Sequence, residues 1–457
     1  MLGIPALPKK LPSRNWLIFW TLTASITGGI IYDRREKRRA IAKWRHAVEH
    51  LAKEPLTDGG LGLEQVRKLT IYLSSPPGDG LRVAQDHYTE YIKPILAASG
   101  LDWEFVQGRR DGDVRAYAAE RVRRVRRTAE GKEEELDLSK EPTKEEIIAA
   151  FRKDRGIKDY DGIRGDVVIG RHTWKEYLRG LHEGWLGPLT PPAVPELVPA
   201  VTPEIPAQDK PLEDAQTVDG SAEKPAEDKP AEEKKAEEKP AEETKPKRPA
   251  QIKPYNTTAD YPTSSLPPTI PNEFNPVAPI QEPHLLGFLN TPTRMYRFFN
   301  RRAVADQIGR EVAAVCLCHY REFKELAGTD SQSPAATADS ESSDTQNYKY
   351  EQEKELAWEE KDWVKSIWKE DDPKDAEASE ITEKVRPKPI VMDSRIAHRM
   401  RRFQLTPEDE ERVSKIVVPE EEVEGWTKGK FRQLYRWSVK TAFEKKKLTP
   451  LEDKDVE

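Results

Sequence analysis

The chain has 457 residues and a formal net charge of −6, with 36% hydrophobic and 34% charged residues. This polarity is high for the length, so part of the chain is expected outside a folded core, and two or three domains are expected. The near-neutral charge argues against a general nucleic-acid-binding protein, which normally carries a strong basic patch. Cys316 and Cys318 are too few for a disulfide scaffold or a four-ligand zinc site, and we expect two partly buried thiols on one helix.

The N-terminal region has an apolar stretch between two basic segments. Residues 16–32 are uncharged and would form a helix of roughly 25 Å, with Trp16 and Tyr32 at its two ends. A basic tail at 1–15 precedes the stretch, and basic residues at 34–39 follow it in place of a cleavage site. We therefore predict a transmembrane helix at 16–32 anchored by Trp16 and Tyr32, then a juxtamembrane helix at 33–63. A secretory signal peptide is the alternative.

Strand and helix patterns alternate over residues 64–190. The predicted strands are 68–73, 102–106 and 166–169, and the predicted helices are 81–98, 111–127, 143–152 and 172–185. Such alternation is typical of βαβ units, in which helices cover both faces of a parallel sheet. We therefore predict a three-layer, parallel-sheet α/β domain at 64–190.

The second half of the chain begins with a low-complexity region. Residues 191–276 contain a degenerate Ala, Glu, Lys and Pro repeat with almost nothing to bury, which predicts a disordered linker. A mostly helical C-terminal segment is predicted at 277–457, with a disordered insert at 329–347. Within that segment, residues 285–300 are dense in aromatic side chains, and a predicted helix at 353–369 carries three tryptophans.

Motifs for catalysis or metal binding are absent from the sequence. It contains no Walker A, H-E-x-x-H or G-x-S-x-G pattern, and His172 and His182 lack ligand spacing. The strongest candidate for a phosphate site is the loop with Gly78 and Gly80, between the first strand and the first helix; a simple turn is the alternative. An arginine series on the helix at 111–127 either faces anionic lipid or forms a solvated face. The series comprises Arg115, Arg121, Arg123, Arg124, Arg126 and Arg127.

Four segments of the chain resemble a known family. LPSRNWLIFW, KLTIYLSSPPGDG, GDVVIGRHTWKEYLRGLHEGWLGPL and HLLGFLNTPTRMYRFFN are similar to the fungal Tim54 family, the large subunit of the carrier translocase of the mitochondrial inner membrane. The resemblance implies a non-catalytic subunit without cofactor, which helps to insert multi-pass carrier proteins. Implied partners are the pore subunit and other translocase subunits, small intermembrane-space chaperones and inner-membrane lipid, with no nucleic acid.

The resemblance also implies a location and a docking role. It places a single-pass protein in the mitochondrial inner membrane with its bulk in the intermembrane space, whereas the basic charges flanking 16–32 favour the opposite orientation. Docking of substrate–chaperone complexes would use exposed aromatic surface. The predicted docking residues are Phe288, Tyr296, Phe298, Phe299, Trp358 and Trp363, with Trp368 in the same series. Two alternatives are that these aromatics belong to the core, and that residues 285–302 lie in a membrane interface.

A weaker resemblance concerns the α/β domain. Its order of elements looks like the nucleotide-binding half of lipid kinases of the diacylglycerol-kinase type, whose third strand ends in G-G-D-G-T. Here the strand ends in Gly170, Arg171, His172 and Thr173, with one glycine and no acidic residue. The resemblance implies a degenerate lipid-kinase-like fold without activity. The alternative function is a membrane-anchored, acylglycerol-kinase-like enzyme.

Overall fold

The computed structural model describes most of the chain outside its low-complexity regions. The described residues are 13–53, 67–131, 162–191, 251–326, 348–368 and 383–447, with isolated positions between 147 and 160. The insert predicted at 329–347 lies outside them, as do residues 192–250 of the predicted linker.

Strands and helices alternate in the first half of the described chain and intermix in the second. The strands are β1 (Lys68–Ser74), β2 (Asp102–Gly108), β3 (Gly165–Ile169), β4 (Val277–Ile280), β5 (Tyr320–Glu322) and β6 (Arg401–Phe403). The longer helices are α1 (Arg14–Val48), α4 (Asp113–Ala129), α5 (Arg171–Leu186), α7 (Arg301–Leu317) and α12 (Trp426–Lys447). The shorter helices are α2 (Leu81–His87), α3 (Lys93–Ser99), α6 (Thr291–Phe298), α8 (Glu351–Lys354), α9 (Ser394–Ala397), α10 (Pro407–Ser414) and α11 (Glu420–Glu424).

The described strands form one six-stranded sheet in the order β2-β1-β3-β4-β6-β5. All neighbouring pairs are parallel except β5 and β6, which are antiparallel. The alternating pattern at 64–190 therefore predicted three strands correctly, and β4, β5 and β6 extend the same sheet from the segment predicted as mostly helical. Residues 251–276, predicted as the end of a disordered linker, also belong to this fold, and Tyr261 is buried there.

Helices cover both faces of the sheet, and the strand side chains alternate between them. Leu69 and Ile71 of β1 face a core formed with α1, α3 and α7. Tyr72 faces the other core, formed with α4 and α5. Because side chains of a strand alternate with a period of two, each central strand contributes to both cores.

Helix α1 corrects the fold class predicted for the N-terminus. It is one continuous helix of 35 residues, not a membrane span followed by a separate helix. No helix among the described residues is both long enough and apolar enough to span a membrane, so the predicted transmembrane helix is wrong. The uncharged stretch is short and is interrupted by hydroxyl side chains and by Gly28 and Gly29. The anchor role of Trp16 and Tyr32 depended on that helix and loses its support.

Helix α5 is buried along its whole length although it carries seven acidic or basic residues. Each of these side chains forms a hydrogen bond or an ion pair with a particular group elsewhere in the fold or in the helix itself. Lys175, for example, donates hydrogen bonds to the carbonyl oxygens of Arg386 (2.8 Å) and Lys388 (3.0 Å). Because buried charges are tolerated only when paired, the helix fixes the segments around it as well as the sheet.

Candidate functional site

The first place to seek a ligand site in this fold is the crevice between β1 and β3. The chain leaves β1 toward β2 on one side and returns to β3 on the other, so β1 and β3 flank a topological switch point. Open α/β sheets bind ligands in this crevice, beyond the carboxyl ends of the strands. Ser74 ends β1, and Gly170 follows β3.

Side chains of the chain itself occupy this crevice. His172 Nε2 lies 3.1 Å from the carbonyl oxygen of Ser74, and Arg386 donates to the Ser74 hydroxyl over 3.1 Å. Burial lowers the pKa of His172 to about 3, so the ring is neutral and donates to that carbonyl. Arg171 binds Glu360 over 2.7 Å. Arg171 and His172 thus fill part of the crevice with bulky side chains of the chain itself.

The predicted phosphate loop is covered by apolar side chains. A Cβ added at Gly78, where φ is +85°, would lie 3.0 Å from Val364 and 3.2 Å from Leu286. Gly80 precedes helix α2, and its backbone N–H donates to the Asp79 carboxylate over 2.7 Å. A carboxylate at this position repels an anion. Phosphate binding at Gly78 and Gly80 stays a prediction, and the surroundings of both glycines are unfavourable to it.

Two buried glutamates lie beside the crevice. Glu359 accepts hydrogen bonds from the backbone N–H groups of Arg171 and Glu282, both over 2.7 Å, and burial raises the pKa of Glu359 to about 8. Glu282 is buried, and neither of its carboxylate oxygens has a hydrogen-bond partner among the described residues. Burial, followed by the neighbouring Glu359, raises the pKa of Glu282 well above its usual value. The Glu359 carboxylate thus links the start of α5 to the segment just after β4.

Replacing Glu282 with glutamine is expected to stabilise the fold at alkaline pH. Folded Glu282 keeps its proton at a pH where the unfolded carboxyl has lost it, so its contribution is present at low pH and is lost as pH rises above the unfolded value of about 4.5. Glutamine does not ionise, so the variant does not lose stability in this way as pH rises. We expect a gain of about 1–2 kcal/mol in the free energy of unfolding at pH 8 and little gain near pH 4.5. Urea unfolding measures both, with the exposed Glu411→Gln as control; a loss of stability at pH 8 would contradict the prediction.

The arginine series of α4 is mostly buried. Arg115, Arg123 and Arg126 are buried against α5 and the 251–256 segment, and Arg121 donates to Tyr72 and Asp166. Arg124 is the exposed member among these. Most of the series therefore forms contacts inside the fold, and neither the lipid-facing nor the solvated-face interpretation describes it.

The structure separates the predicted docking aromatics into an outer and an inner group. Phe288 and Tyr296 are 89% and 69% exposed, and Leu289 beside them is 91% exposed. Phe298 and Phe299 are half-buried and contact each other edge to face. We name Phe288, Leu289 and Tyr296 the α6 ridge. Leu289 adjoins Phe288 in the chain and adds an exposed aliphatic side chain to the predicted aromatic ones.

The tryptophans in the predicted series have structural contacts. Trp363 is half-buried, stacks on Trp368 at 5.8 Å and lies under the Lys175 ammonium group at 5.0 Å. Trp358 is 41% exposed, and the Arg297 guanidinium lies 5.9 Å from its ring centroid. Trp363 thus helps to hold a buried cation, and Trp358 keeps an exposed face beside α6.

A groove of about 910 Å³ runs between α6 and the N-terminal half of α1. Its apolar lining includes Ile26 and Ile30 of α1 and Phe298 and Phe299. Among the described residues, no group of acidic, histidine or cysteine side chains is placed to hold a metal ion. The cysteines are free, and burial raises the pKa of Cys316 to about 11. The apolar groove and the exposed ridge beside it are suited to binding an apolar ligand or partner.

Comparison with known proteins assigns the chain to a family. Residues 1–403 match the model of a family described as inner membrane protein import complex subunit Tim54. The chain belongs to the Tim54 family. The mitochondrial import inner membrane translocase subunit tim54 of Neurospora crassa is 66% identical over all of this chain and 91% of its own length. Its namesake in Aspergillus oryzae is 46% identical over 92% of this chain and 91% of its own length. The subunit of the same name in Schizosaccharomyces pombe is 35% identical over 70% of this chain and 82% of its own length.

Membership of the Tim54 family gives the chain a role in protein import at the mitochondrial inner membrane. The α6 ridge, the groove and the filled crevice all lie within the residues that match the family. Other subunits of an import complex are the partners that this membership implies.

Proposed function

We propose that this Tim54 family member is a non-catalytic docking subunit of the inner-membrane translocase. In this role the folded domain lies in the intermembrane space. There it receives multi-pass carrier proteins held by small chaperones and passes them to the pore subunit. The observation that carries the proposal is the α6 ridge, whose apolar side chains are exposed on α6 and on the turn just before it.

An apolar ridge suits such cargo for a physical reason. Scattered single apolar residues are normal on a protein surface, whereas adjacent ones mark an interaction site. Phe288 and Leu289 are adjacent and almost fully exposed, and Tyr296 lies on the helix that follows. Carriers in transit, and the chaperones that hold them, present apolar segments. A few large side chains, aromatic ones above all, supply most of the free energy in protein interfaces.

The test places a photo-crosslinking amino acid at position 288 or 296 in mitochondria that are importing a radiolabelled carrier. We expect adducts with the carrier or with its small chaperone, whereas the same label at the exposed Val125 should give none. A crosslink to these chaperones also locates the ridge in the intermembrane space. Adducts with matrix proteins alone would contradict both the docking role and the location.

A triple variant measures how much the ridge contributes. Phe288→Ser, Leu289→Ser and Tyr296→Ser together are expected to lower co-purification of arrested carrier at least tenfold, because central aromatic contacts each contribute about 2 kcal/mol or more. Matched serine replacements of Val125, Ile252 and Val391, all exposed but far apart in sequence, should leave it unchanged. Equal recovery from the two triple variants would show that the ridge is not the docking surface.

A further inference from the structure

A basic pocket of about 270 Å³ lies at one end of the α1–α6 groove. It is lined by Ile30, Asp33, Arg34, Lys37, Arg38, Glu90, Phe298 and Arg301. Four of these side chains are positive and two are negative, so the pocket carries an excess of positive charge. It shares Ile30, Glu90, Phe298 and Arg301 with the groove, so the two cavities adjoin.

Both acids in the pocket already have partners. Asp33 accepts a hydrogen bond from the backbone N–H of Arg302 over 3.2 Å, and Glu90 binds Lys37. Arg34 and Arg38 have no hydrogen-bond or ion-pair partner within the part of the chain that the structure describes. Arg301 lies 4.8 Å from the Phe298 ring centroid and has no carboxylate partner there either. The positive charge of three guanidinium groups is therefore available to an anion.

Other arginines of the basic stretch 34–39 do have carboxylate partners within the fold. Arg35 binds Glu420 over 2.6 Å and Glu424 over 2.9 Å, and Arg39 binds Glu420 over 2.7 Å. Arg34 and Arg38 stand four residues apart, and like charges at that spacing destabilise a helix slightly. An external anion would remove that repulsion.

One face of α1 changes from apolar to basic along the two cavities. Ile26, Ile30, Arg34 and Arg38 follow one another at intervals of four residues, so they lie in one row along the helix. The row is about 18 Å long at 1.5 Å per residue. Phe298 and Phe299 face its apolar part, and Arg301 lies at its basic part. A ligand that fits this row has an anionic head and an apolar tail.

We propose that the groove and the basic pocket form a binding site for one anionic phospholipid. Its phosphate lies among Arg34, Arg38 and Arg301, since planar guanidinium groups bind phosphate oxygens in pairs. Its acyl chains lie along Ile26, Phe298 and Phe299. The groove volume falls within the range of about 300–1,000 Å³ that is usual for small-molecule sites. The α6 ridge points elsewhere, because none of its three residues lines the groove or the pocket.

The decisive probe is a phospholipid that stays monomeric in water. Dihexanoyl phosphatidic acid, added below its micelle concentration to the purified full-length chain, is expected to bind measurably by calorimetry at about 0.15 M salt, where nonspecific attraction between exposed charges is screened. Three other ligands are compared with it in the same assay: dihexanoyl phosphatidylcholine, inorganic phosphate and a short oligoglutamate peptide. Equal binding of the choline lipid would mean an apolar groove without headgroup recognition. Equal binding of phosphate or of the peptide would mean a general anion site. Each of these three results overturns the proposal.

Variants separate the head and tail contributions. Arg34→Gln, Arg38→Gln and Arg301→Gln together are expected to weaken phosphatidic acid binding at least tenfold, and Ile26→Asn to weaken it severalfold without affecting phosphate. The control changes Arg109, Arg124 and Arg310 to glutamine, which removes the same charge from exposed sites elsewhere. All six arginines are exposed, so both triple variants should keep their unfolding temperature. Equal binding by the two variants would refute the site. Serine replacement of the α6 ridge should leave lipid binding unchanged, so the docking role and the lipid site can fail independently.

Discussion

Replacing Glu183 with alanine is expected to lower the free energy of unfolding by about 3–5 kcal/mol, the usual cost of removing one partner from a buried ion pair. Glu183 is 1% exposed and binds both Arg115 and Arg123, which are 0% and 3% exposed. It also accepts the backbone N–H of Tyr255 over 3.1 Å. Without its carboxylate, two guanidinium groups would lie in the interior with too little negative charge.

The position of Glu183 explains why the loss is global. The residue belongs to α5, the two arginines belong to α4, and Tyr255 belongs to the segment after residue 250, so one carboxylate joins three parts of the fold. Natural domains are stable by only about 5–15 kcal/mol, so the variant would approach unfolding at physiological temperature.

Urea unfolding followed by circular dichroism measures this effect, and Glu120→Ala is its control. Glu120 also contacts Arg123, at 3.5 Å, and Arg127 at 2.9 Å, but it is 41% exposed. Exposed pairs usually contribute less than about 1 kcal/mol. Similar losses in the two variants would show that burial of the Glu183 pairs does not set their value.

The alternating part of the fold was predictable because its elements are regular. The three strands at 68–74, 102–108 and 165–169 are short apolar runs between helical patterns, and each was predicted within a few residues. Strands β4, β5 and β6 gave no comparable signal. β4 is four residues long and contains Pro279, and β6 has two arginines among its three residues. Their strand conformation depends on the neighbouring strands, which a local pattern does not contain.

The candidate site was predictable only as a region. Composition identifies residues 285–300 as aromatic, but exposure depends on what packs against each ring. Phe299 is half-buried because α1 passes over it, and a Cβ at Gly29 would lie 3.5 Å from its ring. Phe288 has no such neighbour. Likewise, no spacing in the sequence indicates that Arg35 meets Glu420 while Arg34 lacks a carboxylate, because Glu420 is 385 residues away in the chain.

Replacement of glycine by alanine is expected to have opposite effects at Gly180, where α5 contacts α4, and at Gly28 of α1. A Cβ at Gly180 would lie 2.5 Å from the carbonyl oxygen of Arg115 and 2.7 Å from the Ala118 Cβ. Because backbone must move to admit it, Gly180→Ala is expected to cost roughly 2–3 kcal/mol. A Cβ at Gly28 of α1 would meet no atom within 4 Å. Gly28→Ala should stabilise the helix by about 0.5–1 kcal/mol.

The close approach at Gly180 also bears on the ion pairs of Glu183, one helical turn further along α5. A helix displaced by a new methyl group carries that carboxylate away from Arg115, so the two effects are coupled. Combining Gly180→Ala with Glu183→Ala should therefore cost less than the sum of the single changes, with a coupling of about 0.5 kcal/mol or more. Urea unfolding of the two single variants and the double variant measures it. Strict additivity would mean that α5 admits the methyl group without moving relative to α4, and that the glycine and the carboxylate stabilise the interface independently.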